Sequence, residues 1–507
     1  MRILYFFFTF VGTSVFCASL EQDLSLFQEQ LKLLNESLPV GYVPLISDAD
    51  LKLSDYEFYE HLKDIFKTEL NWLLTGKIFG SGESFGAQDD EYLRTLACLL
   101  CLKWVLVGDY EKFTSVQPPV VKLSPEHFKE LKKFTDDQLS TPQARDAMFV
   151  FLLINDFGKI EEFDNDVNKK LTAKSSDHDV LLGEFLTHYD VWHDLAKKYI
   201  PVFEHLAPEY RTTIINGQAA DLNFGQFLQA ENVPASLAKV ATLSDSDLLF
   251  FIVHSIFDIA GAAGNAPNGL KGSISLVDPA YISMMHAKDA LVKEHTNGPL
   301  AIYNSYLEKQ AKRFDKYQLN KEGSADIDPE KWAILRLGLM MRAGNRKMVD
   351  TVAEKFNTLT DSEKENLIKE LNKDGIHDSA IIIYYGPALF ANAKKVIGDG
   401  KITGITFDGA MPKIMKLVAF MYQELRSSIL ISKGVITLNV RTTAQAILNR
   451  PDLLLVDLTT VGYNLEPKSP NEWQWSFTPD ALKNFTEIEQ KRSQETTQQK
   501  IEKQLKA

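Results

Sequence analysis

The chain has 507 residues, 45% of them hydrophobic and 24% charged, a composition that excludes the intrinsically disordered class. Its length allows two or three domains. A net charge of −13 and a pI near 5.4 argue against broad nucleic-acid binding, which needs a basic footprint, but leave room for a small phosphorylated ligand.

In chain order, Met1-Arg2 and the apolar run Ile3–Val11 precede the small residues Cys17-Ala18-Ser19. This is the layout of a secretory signal peptide cleaved after Ser19, so the protein is expected to be secreted or periplasmic. The run is too short for a membrane helix, and no later segment is long enough without charges to span after cleavage. Cys98 and Cys101 fall mid-helix in an apolar run and read as buried small hydrophobes. Helical periodicity dominates from there on. It marks Leu51–Leu73, Asp90–Val107, Pro125–Phe134, Pro142–Phe157, Val180–Tyr199, Ser246–Ala260 and Pro279–Phe314. Pro329–Met341, Asp361–Leu371, Ser379–Val396 and Ala410–Leu430 continue it. Ser124-Pro125, Thr141-Pro142 and Asp328-Pro329 have the form of helix starts. Val435–Val440 and Leu453–Leu458 read as short strands. The expected class is therefore mainly α, a multi-helix bundle with a small β element near the C-terminus.

The segment Phe151-Leu152-Leu153-Ile154-Asn155-Asp156-Phe157-Gly158-Lys159-Ile160 carries an apolar run into two polar side chains and a Gly-Lys turn. A carboxylate carried inward this way needs a cation or hydrogen-bond donors around it. A second constellation lies in Leu248–Gly261, a helix apolar almost all round. There His254 and Asp258 stand four apart and share a face. Three readings of that pair are open: joint ligation of a metal, Asp258 orienting His254 as a base or as a metal ligand, or a self-satisfied His–Asp pair in the core. The Gly/Asn-rich loop that follows holds Asn268 and Lys271, and the basic cluster Arg342–Lys347 holds Arg342; these are candidate substrate-binding groups. His193-Asp194 lacks the apolar-Gly-Lys sequel and reads as a surface pair. GxSxG, HExxH, GxGxxG and P-loop patterns are absent.

The Asn155–Ile160 stretch resembles the signature of the HD-domain metal-dependent phosphohydrolases, apolar-His-Asp-Ile-Gly-Lys-Ile, with Asn155 in the place of the histidine. That resemblance covers roughly residues 120–290. It implies an HD-like all-helical fold and one or two divalent metal ions held by Asp156, Asn155, His127, His178, Asp179, His254 and Asp258. His254, Asp258 and Lys159 would then carry the chemistry, and Lys159 or Lys271 would steady the phosphate of a small phosphoester substrate. Asn is an uncharged oxygen ligand, poor beside imidazole for transition metals. The alternative is a non-catalytic binding or interaction protein on a degenerate HD-like core. Metal-free hydrolysis by His254 and a carboxylate is a third possibility. The expected organisation is a signal peptide (1–19), an N-terminal helical region (20–118), the HD-like core (119–290), a helical extension (291–430), a mixed region with short strands (431–482) and a polar tail (483–507).

Overall fold

The computed structural model describes residues 42–78, 90–172, 174–175, 177–314, 317–321, 327–429 and 433–482. The expected signal peptide with Cys17, most of the Thr75–Asp90 loop and the polar tail fall outside these residues. The molecule is mainly helical, with one four-stranded sheet near the C-terminal end. Among the described residues, no helix is long and apolar enough to cross a membrane.

The helix starts follow from their caps. Ser124 accepts the N–H of His127, Thr141 that of Ala144, Ser244 that of Asp247 and Asp328 that of Glu330; three of these helices open on proline. Long apolar runs are broken where the backbone demands it. Leu51–Leu73 divides at Phe66 into the helices Asp55–Ile65 and Lys67–Thr75. Pro279–Phe314 divides at Gly298, whose φ of 93° ends one helix and lets Pro299 open the next.

Val233, Ala380 and Ile382 form a small separate cluster, and a main apolar core runs through the chain from Ile46 to Phe477. At its centre the helices Asp90–Val107, Pro142–Ile154 and Asp245–Gly261 pack together. A Cβ on Gly261 would lie 2.4 Å from the nitrogen and sulfur of Cys98, so glycine permits this approach. Cys98 and Cys101 are buried free thiols, as the sequence suggests.

The sheet has the order β1-β2-β4-β3: β1 (Ser379–Tyr384), β2 (Gly434–Asn439), β3 (Tyr463–Ser469) and β4 (Glu472–Phe477). β1–β2 and β2–β4 pair in parallel, and β3–β4 pair antiparallel. Two sequence assignments are corrected here. Ser379–Tyr384 is a strand rather than the start of a helix, because three successive β-branched isoleucines fill a buried strand; the helix Gly386–Gly398 begins only at Gly386-Pro387. Leu453–Leu458 is not a strand. Pro451 opens a 3-10 turn over Pro451–Leu455, and Asp457 caps the next over Leu458–Thr460.

Candidate functional site

The Pro142–Ile154 helix is buried almost throughout and stops at Asn155. Asp156 follows in a non-helical conformation, and Phe157–Lys159 form a 3-10 turn. A Cβ on Gly158 would sit 2.0 Å from the His178 carbonyl oxygen. Glycine therefore lets this turn lie against the start of the His178–Thr187 helix. The Gly-Lys pair thus has two local effects: Gly158 permits close approach, and Lys159 turns its side chain back toward Asp156.

Lys159 Nζ lies 2.6 Å from Asp156 Oδ1 and 3.0 Å from Glu91 Oε1. Arg94 Nη1 stands 3.3 Å from each Glu91 oxygen, and Asn155 Nδ2 donates to Asp258 Oδ1 at 3.1 Å. Three helices and the Gly158 turn thereby converge on Asp156. Burial by itself would raise the Asp156 carboxyl, but the Lys159 ammonium, a hydrogen bond with Glu91 and the Arg94 guanidinium outweigh it and hold the group well below the usual carboxylate range. Glu91 moves the other way: burial and then the Asp156 charge push it up to about 7. Asp258 is raised by burial and by Asp156, with Arg94 opposing. Asp179 is raised chiefly by burial, with His178 opposing.

His254 lies one helical turn before Asp258, with its ring stacked 3.7 Å from that of Phe151. Phe151 likewise lies one turn before Asn155. The two helices therefore meet as a ladder, ring on ring and then amide on carboxylate. Neither His254 nitrogen has a hydrogen-bond partner, and burial pushes the imidazole down to about 3, so it is neutral at pH 7. Of the three sequence readings for this pair, neither the orienting bond from Asp258 nor a self-satisfied His–Asp pair is formed: Asp258 Oδ1 takes the Asn155 amide instead.

His178 and Asp179 reach the same neighbourhood from their helix start. His178 Nε2 is 3.5 Å from Asp179 Oδ2, and both act electrostatically on Asp156 or feel its charge. Gln218 Nε2 donates to the Asp179 carbonyl and carboxylate at 3.2 and 3.3 Å. Six of the seven sequence-proposed metal ligands thus gather around Asp156. His127 does not join them; its Nδ1 pairs with Asp278 Oδ1 at 2.6 Å. Lys271 is exposed beside Ser115, whose hydroxyl donates to its carbonyl, and Asn268 is an exposed turn residue with φ of 70°. Arg342 donates to Gln229. None of these three shares a hydrogen bond or ion pair with the cluster.

Sequence reasoning passed over Glu91 and Arg94. The signal was present: Asp90-Glu91 and Arg94 open a helix that is otherwise almost wholly apolar. Tyr384, at the end of β1, has a phenol that is raised by burial and by Tyr385 and lies in the field of Glu231 and Asp179. A cavity of about 490 Å³ lies elsewhere, lined by Lys103, Trp104, Asp55 and Lys112, and shares no residue with the cluster.

The donor set does not fit a resident divalent ion at Asp156. Among the described residues, Asp177, His178 and Asp179 are the group whose possible ligand atoms come within 4.8 Å of one another. Asp156, Asp258 and His254 form no such group, and the Lys159 ammonium stands at ligand distance from Asp156. The trio itself is the acidic start of a helix, where Asp177 caps the N–H groups of Asp179 and Val180.

A family described as one of unknown function (DUF6829) matches residues 60–453. The chain belongs to this family. The DUF6829 span contains every residue of the Asp156 cluster, together with β1 and β2, and ends before β3 and β4. No curated protein and no solved structure matches the chain.

Proposed function

We propose that this DUF6829 protein is a non-catalytic binding protein, destined for the secretory route by its leader sequence, on an HD-like helical core that has exchanged a metal for internal cations. The observation that carries this reading is the position of Lys159, 2.6 Å from Asp156 and 3.0 Å from Glu91. A divalent ion at Asp156 would have to displace that ammonium and face it across a short distance at low dielectric. Arg94 completes the neutralisation of Glu91. Asn155 fits the same picture: its amide donates to Asp258, as a neutral group, where an imidazole would serve a metal.

A second reading has a specific observation in its favour. Asn155 and Asp258, which lie far apart in sequence, meet in space, and His254 beneath them has two unpartnered nitrogens. A phosphoester hydrolase of the HD type would need Lys159 to leave Asp156 before Asp156, Asn155, Asp258, His178 and Asp179 could hold the cation. Metal analysis of the purified protein separates the two. The binding reading expects well under one equivalent of transition metal, a melting temperature unmoved by chelator, and no turnover of a generic phosphodiester. About one equivalent of metal, lost in Asp156→Ala, would overturn it. Under the same reading, Asn155→His adds no metal-dependent activity, because Lys159 still holds Asp156.

A further inference from the structure

The cavity of about 490 Å³ opens between the start of the Asp55–Ile65 helix and the end of the Asp90–Val107 helix. Its volume falls in the range of small-molecule sites. Asp55, in its wall, is saturated. Oδ1 accepts the Lys103 ammonium at 3.0 Å and the Trp104 indole N–H at 2.9 Å, and Oδ2 lies 2.9 Å from the Lys112 ammonium. Burial would raise this carboxyl, but hydrogen bonds from Lys112, Trp104 and Lys103 outweigh it, so Asp55 is ionised at pH 7. Asp109 is also engaged, with Oδ1 capping the N–H of Lys112.

The lysines are less fully used. Lys103 is buried, and besides Asp55 it donates to the Leu53 carbonyl at 2.6 Å. Lys112 has a half-exposed side chain and three donors, of which Asp55 takes one. Lys52, also in the lining, is exposed and pairs with no carboxylate among the described residues. The cavity is thus lined by three ammonium groups and two carboxylates, a positive excess of one in a chain whose net charge is −13. Leu51, Leu53 and the exposed Val107 supply an apolar wall beside it.

We infer that this cavity binds a small organic monocarboxylate, its charge met by Lys112 and Lys52 and its apolar body lying against Val107 and Leu53. The site goes beyond the reading of the Asp156 cluster and shares no residue with it. A monoanion matches the excess of one positive charge, whereas a dianion would leave negative charge uncompensated in a partly desolvated recess. Asp55 shows how these ammonium groups take a carboxylate, with Lys103 and Lys112 on its two oxygens. The parts that single out a phosphate are missing: none of the lining residues is arginine, and Ser54 with Glu57 already closes the capping box of the helix that starts here. Apolar wall on one side and ammonium groups on the other suit an amphipathic ligand.

The test titrates the full chain with hexanoate, by calorimetry and by thermal shift, beside hexanol and inorganic phosphate at equal ionic strength. Saturable one-to-one binding of hexanoate is expected, tighter than that of either comparison compound. Lys112→Gln and Lys52→Gln are each expected to weaken it about tenfold. Val107→Glu sets a like charge on an exposed part of the wall and is expected to abolish it. Lys52 and Val107 are both exposed, so their variants stay informative should loss of the Asp55–Lys112 pair disturb folding. Hexanoate binding no tighter than that of hexanol or phosphate, or unchanged in Lys52→Gln or in Val107→Glu, overturns the inference and leaves the binding reading standing. One equivalent of metal lost in Asp156→Ala overturns that reading and leaves this site standing.

Discussion

Lys159 bridges two carboxylates whose proton affinities move in opposite directions, and this gives Glu91 a measurable signature. Its carboxyl is raised from an unfolded value near 4.5 to about 7 in the folded protein. The stability it contributes is therefore fully present below about pH 4.5 and is lost as pH rises through 7. Glu91→Gln removes this dependence. The stability of the variant relative to the parent is expected to rise between pH 4.5 and 7.5, by up to roughly 3 kcal/mol, and to level off above that. Urea denaturation at a series of pH values measures the gap, and a gap that stays constant would contradict the assignment. Asp156, held low, acts only in more acid solution, where its contribution is lost as pH falls. At this scale Asn155, Asp156, Lys159, His254 and Asp258 were legible, because a polar residue ending an apolar run stands out in a sequence. Glu91 and Arg94 were not singled out, because charged residues in the first turn of a helix look like ordinary solvated caps until that turn is seen to be buried.

Gly158 shows how one position joins two elements. Its missing Cβ is what lets the Phe157–Lys159 turn touch the His178 carbonyl, and the contact is to backbone, which cannot swing aside. Gly158→Ala is expected to cost about 3 kcal/mol, the upper end for overpacking a tight interior, and to separate His178 and Asp179 from Asp156. A chemical denaturation midpoint close to that of the parent protein would show that the turn has room to move. Helix starts were read correctly at Ser124-Pro125, Thr141-Pro142 and Asp328-Pro329, since capping is a local interaction. The strand assignments divided. β2 was readable from its β-branched residues, whereas β1 was taken into a helix and Leu453–Leu458 was taken for a strand. Short apolar runs carry no periodicity that separates the two forms, so neighbours decide.

Across the whole molecule, the segment Ala230–Asn232 ties the helical part to the sheet. Arg336, 2% exposed, donates to the carbonyls of Ala230, Asn232 and Leu371, and the Tyr303 hydroxyl donates to Asn232. Between them, Glu231 accepts the Tyr385 N–H at 2.7 Å and that of Gly386, at the helix start following β1. Burial pushes this carboxyl up to about 8. Ala230 and Tyr385 both adopt positive φ, 51° and 69°, a conformation that non-glycine residues take only when their surroundings impose it. Arg336→Met takes the guanidinium from three buried carbonyls, leaving the Tyr303 hydroxyl to serve Ala230 and Asn232, and is expected to cost about 3 kcal/mol. Hydrogen exchange should then speed up in β1 and at Tyr385 as well as around Ala230. Faster exchange confined to the Ala230–Asn232 segment would show that the two parts are independent.

The sequence by itself determined the helical class, the caps, the burial of the Asp245–Gly261 helix and the prominence of Asn155-Asp156, because each depends on residues within a few positions of one another. Only the tertiary structure decided what surrounds Asp156. Glu91, Lys159, His178 and Asp258 come from separate stretches of chain, and whether a carboxylate meets a metal-like cage or a lysine depends on distances that local patterns do not encode. The same holds for His127, which suits a ligand in sequence but pairs with Asp278 in the fold.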